Sequence, residues 1–372
     1  MGGRTFLRVL CLICAVSTVI AGWTLLPNRR EPVSQAEREF EKQAEAFRGI
    51  ITVWHINGWR TGGTSASTLL SQILADLERQ NSGVYFTMET LPVQQAQERM
   101  VKGEMPDILS FPGGMTLPTN IAWQDLSCPS ILPCYAGALE RESSFLPWIA
   151  SDALIMIRNT SLSACGAAAP EDDWTLKQLC DLAEELTYQT KGRNAQRVYG
   201  IASGNGRWPQ LSAWGVPEMA ILPGDFTERE AWNQLVEGDV SMLVAGPWEQ
   251  MTLQWRMQED RGPDLTIVPW PTDVPVLRSV QWVGCRLSGD EKKDALCQKT
   301  VEKLLSENVQ KKVKEQACCL PVIALEEEDY PRREQFPVLF ALPGREVVIR
   351  EKWEENYQWT ADLGIYLCNP KP

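Results

Sequence analysis

The chain has 372 residues, 44% of them apolar and 23% charged, which excludes bulk disorder and allows about two domains. It carries one His, His55, beside 15 Trp, so no metal site with several His ligands is expected, nor any His-dependent triad that does not use His55. Acidic residues outnumber basic ones 48 to 36, for a formal net charge of −12, and a body of that sign is repelled by phosphate backbones, which excludes nucleic acid as an expected partner.

Arg4 and Arg8 precede an apolar run of 18 residues, 9–26. Such a run reads as a signal peptide or a membrane anchor over residues 1–27. Val19 and Ala21 have the spacing of a cleavage before Gly22, but Trp23 to Leu26 prolong the apolar stretch, and uncleaved anchoring is the favoured reading. Residues 28–48 are polar and charge-dense and read as a tether. Export permits disulfides among the eleven Cys; Cys128 and Cys134 are the nearest non-adjacent pair in the body, and connectivity stays open.

Residues 50–56 are β-rich and end in the turn signal Asn57-Gly58. Residues 64–80 read as a helix whose inner face is Leu69, Leu70, Ile73, Leu74 and Leu77. A strand over 84–89, a helix over 93–102 and a strand over 107–111 follow. This alternation implies a parallel α/β sheet, with ligands beyond its strand ends at 57–60 and 111–114. Residues 153–157 are almost wholly apolar and read as a buried strand. A helix over 174–186 has Asp172 or Asp173 as its expected cap. Further elements are a helix over 228–236, strands over 240–244 and 265–268, and a helix over 290–305. His55 lies in the first strand and reads as a packed residue rather than a base. The acidic run 326–329 reads as a solvated face.

Several local patterns recur in the order of a known family. They are Ile51-Thr52-Val53-Trp54 with Ile56-Asn57-Gly58, then Gly103-Glu104-Met105-Pro106-Asp107-Ile108, then Ser151-Asp152-Ala153-Leu154. Trp174 heading a helix that ends in Leu186-Thr187 comes next. Gly238-Asp239-Val240-Ser241-Met242 with Gly246-Pro247-Trp248, and Val268-Pro269-Trp270-Pro271, complete the set. From about residue 50 to 322 the chain thereby resembles the extracellular solute-binding proteins of ABC importers, in the sugar-binding branch that includes maltose-binding proteins. The resemblance implies an α/β, two-lobed periplasmic-binding-protein-like fold with hinge crossovers, here preceded by an N-terminal hydrophobic helix. It divides the body into lobe one, 49–150 with 275–308, and lobe two, 151–274 with 309–372.

The same resemblance implies a carbohydrate receptor, with an oligosaccharide as the solute, working with ABC permease subunits at the outer face of the cytoplasmic membrane. It implies no enzyme activity, no cofactor and no metal. Trp248 matches the family position that stacks on ligand, and Asp152 a hinge acid that bonds sugar hydroxyls. Trp59 and Arg60 match an acid–base pair after the first strand, the acid being Trp here. Phe111 falls where the family carries an aromatic on the third strand. Arg207 and Trp208 lie in a loop that supplies aromatics. Trp faces and polar side chains suit the C–H face and the hydroxyls of a sugar. Two other readings stay open: an exported carbohydrate-active enzyme, which would need two carboxylates about 5–9 Å apart, and a ligand sensor or co-receptor not coupled to transport.

Overall fold

The computed structural model describes residues 47–113, 115, 117–128, 130–132, 135, 144–193, 195–204, 211–224, 226–258, 262–274, 276–325 and 347–349. The apolar run 9–26, the tether, Cys134, Arg207, Trp208 and the acidic run 326–329 lie outside them. Among the described residues no helix is long and apolar enough to cross a membrane.

The first sheet is built on β1 (Gly49–Asn57), which pairs in parallel with both β2 (Val84–Pro92) and β3 (Ile108–Pro112). Helix α1 (Ala66–Gln80) covers it with all five expected leucine and isoleucine positions buried. The 3.6-residue period of those positions is what puts them on one face. Ser65 caps α1, its side chain accepting from the Thr68 backbone N–H. Helix α2 (Val93–Val101) joins β2 to β3. The sheet is not purely parallel. A later strand, β10 (Val276–Cys285), pairs antiparallel with both β3 and β4 (Phe145–Asp152).

One residue after β4, the chain begins β5 (Leu154–Arg158) in a second sheet. Leu154 and Met156 point into one apolar cluster, Ile155 and Ile157 into another. Burial on both faces is why this strand reads as an unbroken apolar run. The second sheet continues through α3 (Asn159–Cys165), α4 (Leu176–Glu185), β6 (Tyr188–Gln189), β7 (Arg197–Ser203), α5 (Glu228–Glu237), β8 (Val240–Ala245), α6 (Pro247–Gln258) and β9 (Leu265–Pro269). Its strand order is β6-β7-β8-β5-β9. The cap of α4 differs from expectation. Thr175 caps it in a reciprocal box with Gln178, because the helix starts two residues later than the pattern suggested and Asp172 and Asp173 fall outside its first turn.

The chain returns to the first sheet by β10 (Val276–Cys285), then α7 (Glu291–Leu304) and α8 (Glu307–Glu315). A short strand, β11 (Val347–Ile349), pairs in parallel with β10. From 309 the resemblance assigned the chain to the second lobe. Val309, Val313, Cys319 and Val322 instead lie in the core of the first sheet, since α8 follows α7 directly and turns its apolar face inward. The result is two α/β lobes, one per sheet, joined at Ala153 between β4 and β5 and again between β9 and β10. Among the described residues, Cys128, Cys165, Cys180, Cys285, Cys297 and Cys319 are free thiols.

Candidate functional site between the lobes

A cavity of about 430 Å³ opens where the loop after β1 faces the second lobe, a volume within the range of small-molecule sites. The first lobe contributes Asn57, Gly58, Trp59, Arg60, Thr61, Gly63, Ser65, Ala66 and Ser67, and the second contributes Glu228 and Trp248.

Close packing holds the first wall. A side chain at Gly58 would run into Pro112 at the end of β3, and one at Gly63 into the Gln316 carbonyl oxygen. Gly63 and Thr64 donate their backbone N–H groups to Ala317 O (3.1 Å) and Gln316 O (2.6 Å). The loop is thus fixed against the segment after α8, and it delivers Ser65 to the start of α1. Trp59 is half-buried against the first lobe's core, and its indole nitrogen is buried with no hydrogen-bond partner among the described residues. Arg60 is exposed.

Two helix starts build the second wall. Thr227 caps α5 in a reciprocal box with Glu230, which places Glu228 in the first helical position. A carboxylate there suits the positive end of the helix dipole. Replacing Thr227 by Ala is expected to cost about 1 kcal/mol of stability in urea unfolding. At the second start, Pro247 opens α6 directly after β8, and Glu249 accepts the Gly246 N–H at 2.9 Å. Trp248 follows on that turn. Its ring meets Trp232 edge to face at 6.5 Å.

The walls touch through Arg60. Its Cζ lies 5.0 Å from the centre of the Trp248 ring, and its Nε lies 3.7 Å from Glu228 Oε2.

Behind the cavity lies a buried polar network. Trp148 Nε1 and Gln281 Nε2 donate to Ser110 Oγ at 3.0 and 3.1 Å, and Ser110 Oγ lies 3.0 Å from His55 Nδ1. A hydroxyl has two lone pairs and one proton. With both lone pairs taken, the Ser110 proton goes to His55 Nδ1, so the imidazole is neutral and carries its hydrogen on Nε2. Burial pushes its pKa down to about 4, although a hydrogen bond with the Asn57 side chain works the other way. Asn57 itself lines the cavity, so the network reaches the site.

The residues expected from the sequence are distributed unevenly. Trp59, Arg60 and Trp248 come together in the cavity. Phe111 does not line it; it is 5% exposed and packs edge to face on Phe145 at 5.1 Å. Asp152 is 3% exposed, and both its oxygens accept from Arg278, at 2.5 Å from Nε and 2.7 Å from Nη2. This ion pair joins β4 to β10 at the crossover, where Arg278 and Asp152 face each other in register. Arg207 and Trp208 lie outside the described residues. The sequence reading missed Glu228. Its one signal was an acid at a helix start, which is equally the mark of simple dipole compensation.

No protein-family model and no curated protein sequence matches the chain. Solved structures do. The chain is similar to the GacH receptor of Streptomyces glaucescens, solved unliganded and in complex with acarbose, at 16% identity over 85% of this chain and 89% of that one, with a TM-score of 0.60. It is similar to the ABC substrate-binding protein Lmo0181 of Listeria monocytogenes, solved in complex with cycloalternan, at 14% identity, 82% and 89% coverage and a TM-score of 0.57. UgpB of Mycobacterium tuberculosis, in complex with glycerophosphocholine, matches at 11% identity, 79% and 85% coverage and a TM-score of 0.57. At these identities the likeness is one of fold, and the fold is that of the two-lobed solute-binding proteins of ABC transporters.

Proposed function

We propose that the chain is an extracellular receptor that captures a carbohydrate between its lobes and hands it to ABC permease subunits. The observation that carries this reading is the inter-lobe cavity, where Trp59 and Trp248 from opposite lobes stand beside Arg60, Glu228 and the Ser65 and Ser67 hydroxyls. Aromatic faces cover the C–H surface of a sugar, and the polar groups take its hydroxyls. The GacH receptor and Lmo0181, which share the fold, were solved with acarbose and cycloalternan. Residues 1–27 would hold the receptor at the outer face of the membrane through the 28–48 tether.

Calorimetry of the protein against a panel of neutral and substituted oligosaccharides tests the proposal. At least one saccharide is expected to bind with micromolar affinity. Trp248→Ala is expected to weaken that binding ten-fold or more, about 1.4 kcal/mol. Flat traces for the whole panel at millimolar concentration would sink the carbohydrate assignment.

A further inference from the structure

The loop after β1 meets the second lobe again at Gly62, two residues beyond Arg60. A Cβ placed on Gly62 would sit 2.8 Å from the Pro247 carbonyl oxygen and 2.8 Å from Met251 Cγ, both on α6. It would sit equally close, 2.8 Å, to Cys318 Cβ, between Ala317 and Cys319 of the first lobe's core. Gly62 is therefore clasped between the two lobes. Its φ lies outside the left-handed region, so the backbone conformation does not call for glycine. The close approach does.

Both sides of this contact are held. On the first lobe, Gly63 and Thr64 are bonded to the segment after α8, and Thr61 Oγ1 donates to the Thr64 carbonyl oxygen at 3.0 Å. On the second, α6 is set by Glu249 on the Gly246 N–H, by Trp248 against Trp232, and by Leu253 in the apolar core. Close-packed elements transmit a clash rather than absorb it. A side chain at position 62 thus acts on the angle between the lobes. The same two segments carry the aromatic faces of the cavity, since Trp59 lies just before Gly62 and Trp248 just after Pro247.

We propose that Gly62 is a positioning residue for capture. It seats the first turn of α6 on the loop after β1, and so sets how closely Trp248 approaches Trp59 and Arg60. This role rests on the carbohydrate reading and adds to it the element that fixes the width of the cleft.

The test uses the full chain with Gly62→Val, with Gly62→Ala, and with Gly62→Ala combined with Met251→Ala. Spin labels on non-canonical amino acids at Arg79 of α1 and Lys177 of α4, both exposed, read the distance between the lobes without solute. Calorimetry with acarbose and maltotriose reads capture. Gly62→Val is expected to shift the distance distribution and to weaken saccharide binding about ten-fold. Gly62→Ala is expected to do the same less strongly. Adding Met251→Ala clears one of the contacts and is expected to bring both readouts back towards wild type. A role confined to the loop's own stability would lower the urea midpoint and leave the label distance unmoved. A natively folded Gly62→Val with the wild-type distance overturns the proposal; should the valine variant not fold, Gly62→Ala decides in the same way. A shifted distance with undiminished saccharide binding also overturns it. A shifted distance in a protein whose wild type binds neither saccharide counts against the carbohydrate reading and leaves the seat standing. Saccharide binding that is unchanged in Gly62→Val at the wild-type distance does the reverse.

Discussion

Asp152→Ala is expected to destabilise the protein by about 3–5 kcal/mol, measured as the shift of the urea midpoint. The carboxylate meets Arg278 in a two-point contact, and the two side chains are 5% and 9% exposed. Taking both charges out of water is costly, and their mutual attraction offsets that cost. Removing the carboxylate takes a two-point partner from a guanidinium that is itself largely buried, near the Tyr135 ring and hydroxyl. Replacing both ions, as Asp152→Leu with Arg278→Met, is expected to cost far less than the sum of the single changes, because no charge is then stranded. Additive losses would show that the pair is not coupled. The contact also ties β4 to β10 where the chain passes between lobes. The acid that the family resemblance assigned to sugar hydroxyls is here committed to a crossover strand.

The second large effect is a loss of stability of about 3 kcal/mol as the pH falls from 6.5 to about 4. His55 is 1% exposed, and burial lowers its pKa from 6.5 to about 4. Over that interval the unfolded chain binds a proton that the folded chain refuses, so stability rises with pH. The contribution is complete above 6.5 and is lost on descent towards 4. Asp107 titrates below this window. Burial raises its pKa, but Lys293 and Thr52 outweigh that and hold the carboxyl below its usual range. Because His55 is the only histidine, one imidazole resonance reports the event. It is expected to stay in its neutral position down to about pH 5. A midpoint near 6.5 would contradict the burial of His55 in the network of Ser110, Trp148 and Gln281.

The corner of the site formed by Asn57, Trp59 and Arg60 was legible in the sequence. A β-rich run, a turn signal and a helical period follow one another within thirty residues, so local pattern places the strand end beside a helix start. Trp248 was legible through the family resemblance, which singles out the aromatic after a buried strand and a Gly-Pro turn. Phe111 was misleading. It also ends a strand, but β10 pairs alongside β3, with Trp282 opposite Phe111, and Phe145 of β4 packs on its ring. β10 itself was not read as a strand. Without it, nothing in the sequence placed Trp282 opposite Phe111.

The sequence alone determined β1, β2, β3, β5, β8 and β9 and the helices α1, α2, α4, α5 and α7, because side-chain period and capping chemistry act over a few residues. It also determined the acidic, Trp-rich and His-poor character that argued against metal and nucleic acid partners. Tertiary structure decided which polar groups meet. Asp152 and Arg278 are 126 residues apart in the chain, and Gln281 reaches Ser110 across 171. Arg60 finds Glu228 and Trp248 only because the two lobes face each other. Charges and hydrogen bonds depend on distances of a few ångströms and on the exclusion of water. The fold sets both, and no local pattern encodes them.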